Sequence, residues 1–259
     1  MRPISELTGP VAALFCDLDG TLTTGGVVEP STYAALTQLG SQGVAVVIVT
    51  GRPAGWGQAL MTVAPVAAVV TENGGVSFIR KDGRMTKLYG VAAATIPEWR
   101  RKMHAVAVDV AQEVGVQLSS DSRYREIDLA FDWNEELSLP VDRADAAVAA
   151  LRKAGFAASR SSVHVNFGPA EFDKLSACNQ IITRVFGGNP DDLTPYVFLG
   201  DALNDAPMFA AFEKSVGVAN VRDLWDELPA TPKFVTGSRE GAGARELCAR
   251  LLQLTGSRT

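Results

Sequence analysis

The sequence predicts an α/β protein. Its core is a doubly wound, Rossmann-like parallel sheet, with a smaller α+β domain inserted into it. Three observations lead there. Short, continuous apolar runs alternate with helical patterns at both ends of the chain. The middle shows alternating apolar and polar residues instead. Acids, threonine, asparagine and glycine gather immediately after the apolar runs.

Taken in order, "VAALFCD" (11–17) reads as a buried strand. "STYAALTQLGSQG" reads as a helix, with Ser31 as its cap, Tyr33, Leu36 and Leu39 at helical spacing and Gly43 closing it. "VAVVIVT" (44–50) and "VAAVVT" (66–71) are two further strands. Their unbroken apolarity suits parallel strands covered on both faces. "VSFIRKDGRMTKLYG" (76–90) is a hairpin turning at Asp82-Gly83. A long helix follows, with Ile96, Trp99, Met103, Val106 and Val110 on one stripe and Gly115 after it. "YREIDLAFDW" (124–133) and "SSVHVNFG" (161–168) alternate as half-buried strands do, and an amphipathic helix (141–155) lies between them. "TPYVFLGD" (194–201), "SVGVA" (215–219) and "KFVT" (233–236) return to the first theme. The expected division is a core of residues 1–89 and 170–259 and an inserted domain of residues 90–169.

With 47% hydrophobic residues in 259, the chain can bury a sizeable core. The net charge of −5 and the lack of a basic stripe argue against a nucleic-acid partner. Three widely spaced cysteines, Cys16, Cys178 and Cys248, lack metal-type pairing and suggest reduced thiols in the cytoplasm. "MRPISELTGP" has no apolar signal core, and no stretch approaches 18 apolar residues, so no membrane partner is expected.

In a doubly wound sheet, ligands bind beyond the carboxyl ends of the strands. The first strand ends in "CDLDGTLT", which carries Asp17 and Asp19. The second ends in "TGRP" (Thr50, Gly51, Arg52) and the third in "TENGG" (Glu72, Asn73). A later strand ends in "GDALNDAPM" (Asp201, Asn204, Asp205), and Lys174 opens the helix after the insert. Neighbouring carboxylates repel, so either a metal ion, a lysine or both compensate them, or one acid carries a proton. Hard oxygens without a His/Cys cluster suit Mg²⁺ rather than Zn²⁺. Mg²⁺ favours few carboxylates together with a phosphate oxygen, and Thr50, the following amides and Lys174 suit the phosphate.

The order "DLDGTLT", "VTGRP", Lys174, "GDALNDAPM" resembles the four motifs of the haloacid dehalogenase superfamily of phosphotransferases. The insert, "TENGG" and "HVNFGPAEFDK" resemble the Cof-like subfamily with an α/β cap. That group includes sugar-phosphate, mannosyl-3-phosphoglycerate and sucrose-phosphate phosphatases, and phosphomannomutases. The resemblance implies that Asp17 is a nucleophile forming an aspartyl phosphate. Asp19 would be the general acid and then the base. Mg²⁺ would be held by the Asp17 carboxylate, the Asp19 backbone carbonyl and Asp201, and Asp205 would either support the metal or orient Lys174. Thr50, Gly51, Lys174 and Asn204 would bind phosphate. Arg52, Glu72, Asn73, Arg125 and His164 are candidate substrate contacts, His164 facing either the site or solvent. The expected activity is phosphatase action on a small phosphorylated metabolite, a sugar phosphate or phosphorylated glycoside. A phosphosugar mutase is the alternative. A phosphorylatable receiver-like domain fits less well, because it lacks the second acid of "DLDGT" and the insert.

Overall fold

A computed structural model describes residues 1–256. The chain begins with a two-residue strand, β1 (Arg2–Pro3), and enters the sheet interior at β2 (Ala13–Cys16). Then α1 (Pro30–Ser41), β3 (Ala45–Val49), α2 (Ala54–Val63) and β4 (Ala68–Thr71) alternate. The hairpin of β5 (Val76–Lys81) and β6 (Arg84–Tyr89) turns through Asp82 and Gly83. Their φ values, 51° and 75°, are both positive, as a tight two-residue hairpin turn requires. Next come α3 (Ile96–Val114), β7 (Gln117–Leu118), β8 (Leu129–Asp132), α4 (Val141–Lys153), β9 (Ala157–Arg160) and β10 (His164–Gly168). The described chain ends with α5 (Lys174–Val185), β11 (Tyr196–Gly200), α6 (Ala206–Ala211), β12 (Ser215–Gly217), β13 (Phe234–Val235) and α7 (Glu240–Gly256).

Nine strands form one sheet in the order β1-β13-β12-β11-β2-β3-β4-β5-β6. Pairing is parallel from β1 to β4 and antiparallel across β5 and β6. From β2 the chain winds one way through β3 and β4, and later the other way from β11 to β13. The switch point therefore lies at β2 and β11, whose carboxyl ends carry Asp17 and Asp201. The unbroken apolar runs are explained by burial on both faces. Leu14, Cys16, Val46 and Ile48 pack with Leu36, Leu39, Leu247 and Leu251 on the face that α1 and α7 cover. Ala13, Phe15, Val47 and Val49 face the other way, onto Ile181, Ile182 and Phe209 of α5 and α6.

The four remaining strands make a separate antiparallel sheet, β7-β8-β10-β9, within the segment expected to be an insert. It has its own core, in which Met103 and Ala107 of α3 and Ala147 and Leu151 of α4 pack on Phe131, Val165 and Phe167. The Phe131 and Phe167 rings stack 5.3 Å apart.

Two local expectations change. Helix α1 opens on Pro30, with Glu29 rather than Ser31 in the cap position; proline's fixed φ suits the first helical position. The strand expected over 124–133 contracts to Leu129–Asp132 and is preceded by a 3₁₀ turn at Ser120–Tyr124. The amides of Glu126, Ile127 and Asp128 all donate to the Glu72 carboxylate and so leave the strand ladder.

Candidate active site

Asp17 directly follows β2, and its N–H donates to Leu199 O of β11, tying the two switch-point strands together. Lys174 is the first residue of α5. Its backbone is set by a capping box in which Asp173 Oδ1 accepts from the Ser176 N–H at 2.7 Å and Ser176 Oγ from the Asp173 N–H at 3.0 Å. From there Lys174 Nζ donates to Asp17 Oδ1 and to Asp205 Oδ1, both at 2.7 Å. The second Asp205 oxygen accepts the backbone N–H groups of Asp201 and Ala202 at 3.0 and 3.1 Å. Asp205 therefore orients Lys174 and the loop after β11.

Oxygens of Asp17, Asp201 and Asp205 lie within 4.8 Å of one another, and all three residues are buried. Burial, and after it the neighbouring negative charge, pushes the Asp17 carboxyl up to about 7 despite Lys174 and drives Asp201 well above its ordinary range. Burial opposes the Lys174 charge, but Asp17 and Asp205 outweigh it and raise that group. Three buried acids thus share one lysine, and this oxygen-only donor set fits a hard divalent cation such as Mg²⁺. Asp201 is aimed by Thr21 Oγ1 at 2.7 Å and Asn220 Nδ2 at 3.0 Å. Gly20, at φ 74°, lets the turn pass beneath it; a Cβ there would stand 2.5 Å from Asp201 Oδ2. The buried Asn204 Oδ1 is without a hydrogen-bond partner, while its amide donates to Asn73 Oδ1 at 3.1 Å. Thr50 Oγ1 accepts the Arg52 N–H at 3.1 Å.

Asp19 stands apart from this group. Both of its oxygens accept from Arg52, from Nε and Nη2, each at 2.8 Å. The third guanidinium nitrogen, Nη1, donates to Glu135 Oε1 at 2.6 Å. His164 Nε2 lies 2.8 Å from the other Glu135 oxygen. His164 first and Arg52 next hold the Glu135 carboxyl down at about 2. Asp121 also faces this cluster, 3.9 Å from Arg52 Nη1.

The other expected substrate contacts are already engaged. The fully buried Glu72 carboxylate accepts four backbone N–H groups, from Ala54 and from Glu126, Ile127 and Asp128, at 2.7–2.9 Å. Arg125 is buried, paired with Asp121 and Asp128, and donates to Gly51 O at 2.9 Å. Asn166 Nδ2 reaches the same carbonyl at 3.1 Å. His164 is buried and lines the cavity over Asp17 and Asp19, so of the two expectations it faces the site and not solvent. Over Asp17 and Asp19 remains a cavity of about 10 Å³, walled by Thr50, Ser162, His164, Asn166 and Asn204. A larger cavity of about 540 Å³ shares Asn166 and Asn204 with it and extends toward Phe172, Leu203 and Pro229.

Thr21, Asn220, Glu135, Asp128 and Asn166 were not singled out in the sequence. Asn166 was within reach, since it shares a strand face with His164 two residues away. Glu135 sits after a strand with no motif to mark it.

Residues 14–126 match the family model of the haloacid dehalogenase-like hydrolases. The architecture is that of solved structures at low identity. One is Thermoplasma acidophilum 0175, at 18% identity and TM-score 0.72, covering 94% of this chain and 99% of the other. The phosphatase BT1666 from Bacteroides thetaiotaomicron gives 20% identity and TM-score 0.62, with coverage of 95% and 96%. The sucrose-phosphatase of Synechocystis sp. PCC6803, in complex with sucrose and phosphate, gives 15% identity and TM-score 0.62, with coverage of 94% and 98%. No curated protein matches in sequence.

Proposed function

We propose that the protein is a Mg²⁺-dependent phosphatase acting on a small phosphorylated metabolite, a sugar phosphate or phosphorylated glycoside, through a phosphoaspartate on Asp17. One observation carries this reading: Lys174 bridges Asp17 and Asp205 at 2.7 Å inside a buried group of three acids that it alone does not neutralise. Cationic charge and a phosphoryl group complete such a site.

Asp17 has one oxygen on Lys174 and its other oxygen for attack on phosphorus. The Asp17–phosphorus bond forms as the bond from phosphorus to the leaving oxygen breaks, and Asp19 gives that oxygen a proton. Water then attacks phosphorus, Asp19 takes its proton, the phosphoaspartate bond breaks and phosphate departs. Thr50 and Lys174 hold the transferring group. Mg²⁺, held by Asp17, the Asp19 carbonyl and Asp201, would neutralise the acids and draw charge from the phosphoryl oxygens. The segment 90–169 serves as a cap over the site, and its Ser162, His164 and Asn166 line the small cavity. The sucrose-phosphatase among the fold neighbours supports the sugar-phosphate class. No helix among the described residues is long and apolar enough to cross a membrane. Three buried free thiols suit a reducing cytoplasm.

The test is turnover of para-nitrophenyl phosphate with Mg²⁺. Wild type turns over, EDTA stops it, and Asp17→Asn loses more than roughly 10³-fold. Undiminished activity in that variant, with deamidation excluded by mass spectrometry, removes Asp17 from the role.

A further inference from the structure

We propose that Glu135 is a positioning residue for the chemical step: by holding Arg52 it aims the Asp19 carboxylate, so the four-stranded unit contributes to proton transfer as well as to substrate fit. The inference rests on the phosphatase reading of Asp19.

The fork of Arg52 meets both Asp19 oxygens at 2.8 Å, which sets the plane of the carboxylate as well as its position. An arginine stem has many rotamers, so the fork orients Asp19 only if something holds the guanidinium. Two contacts do so. The Trp56 ring lies 4.8 Å from its central carbon, and Glu135 Oε1 takes Nη1 at 2.6 Å. Glu135 is itself presented on a fixed turn. Asp132, at the end of β8, accepts the backbone N–H groups of Glu135, Glu136 and Leu137 at 2.9–3.2 Å. His164, the β10 partner of Asp132, stands against the other Glu135 oxygen. The relay therefore runs from the second sheet through Glu135 and Arg52 to Asp19. Asp121, Glu135 and His164 come close enough together to suggest a metal site. Arg52 and Arg125 already supply the positive charge there, so the cluster is an ion-pair relay.

The experiment compares Glu135→Ala and Glu135→Gln with wild type on two substrates. Glycerol 2-phosphate needs its leaving oxygen protonated, whereas para-nitrophenyl phosphate does not. Glu135→Ala is expected to lower kcat on glycerol 2-phosphate roughly 10- to 100-fold, the range of one hydrogen bond to a charged group. On para-nitrophenyl phosphate the first step should change less than about twofold, and Glu135→Gln, which keeps an acceptor oxygen, should recover part of the loss. A merely structural role would depress both substrates alike. Equal losses, or none, overturn the proposal. A measurement independent of turnover is hydrogen exchange of the Arg52 Nε–H, followed by NMR in the full chain. Faster exchange in Glu135→Ala, with Glu135→Gln intermediate, supports the relay; unchanged exchange overturns it even if no phosphatase activity is found. Loss of activity on every phosphomonoester in wild type would instead remove the function proposed above.

Discussion

At the scale of single residues the site is defined by an excess of buried acid. Asp17 binds a proton more tightly in the fold than in the unfolded chain, where a carboxyl titrates near 3.8; burial raises it to about 7. In metal-free protein that proton stabilises the fold fully below about pH 4, and the contribution is lost as pH rises through 7. The metal-free melting temperature is therefore expected to fall between pH 5 and pH 8. Asp17→Asn should reduce the fall, leaving the part owed to Asp201 and Asp128, whose carboxyls burial also raises, and Mg²⁺ should raise the wild-type value at pH 8 while shifting the variant little. Calorimetry at constant ionic strength checks this. A flat metal-free profile, or an equal Mg²⁺ shift in both proteins, would show that the acids are not electrostatically frustrated in this way.

At the scale of elements the decisive feature is the segment joining the 3₁₀ turn to β8. Three successive amides, Glu126 to Asp128, converge with that of Ala54 on one buried carboxylate, Glu72, at the end of β4. Each amide left buried and unpaired costs about 1–3 kcal/mol. Glu72→Ala is accordingly expected to lose at least about 3 kcal/mol in urea denaturation, since water entering the gap relieves only part of the loss. Glu72→Gln keeps an acceptor oxygen and should fall between the two. A loss below about 1 kcal/mol would mean that the segment is held by other contacts, of which Lys87 and Tyr89 to Glu126 are the nearest.

At the scale of the molecule, the hydrophobic cluster of the four-stranded sheet meets the two clusters of the nine-stranded sheet across a largely polar seam, with Ile127 packed into one of the latter. The nine-stranded sheet buries its own residues on both faces, and the four-stranded sheet packs on α3 and α4. Arg52–Glu135, Arg125–Gly51, Asn166–Gly51 and Arg160–Glu227 cross between them. Polar seams of this kind permit relative motion. The function proposed above would need such motion, because a cavity of about 10 Å³ holds about one water. Separate cores also predict separable unfolding. Leu151→Ala should cost roughly 2–5 kcal/mol. The loss should fall on the four-stranded unit, where Leu151 is fully buried. In single-tryptophan versions, the Trp133 signal should then change at lower urea than the Trp225 signal. One coincident transition for both would mean that the seam couples the two cores.

The sequence by itself determined the alternation of elements, the hairpin at Asp82-Gly83, the arrival of Asp17, Asp19 and Asp201 beyond strand ends and Lys174 at the start of a helix. Those features are local: an apolar run or a turn dipeptide carries its own physical preference, and a residue just past a parallel strand has one place to go. What Arg52, Glu72, Arg125 and His164 touch was decided only in the tertiary structure. Glu72 was open to substrate until amides 54 residues and more away closed on it, and these also shortened the strand expected over 124–133. Arg52 finds Glu135 across 83 positions, and Thr21 finds Asp201 across 180. A charged side chain carries no local sign of its partner, since Coulomb attraction and hydrogen bonding act through space and the partner is set by how the two sheets dock.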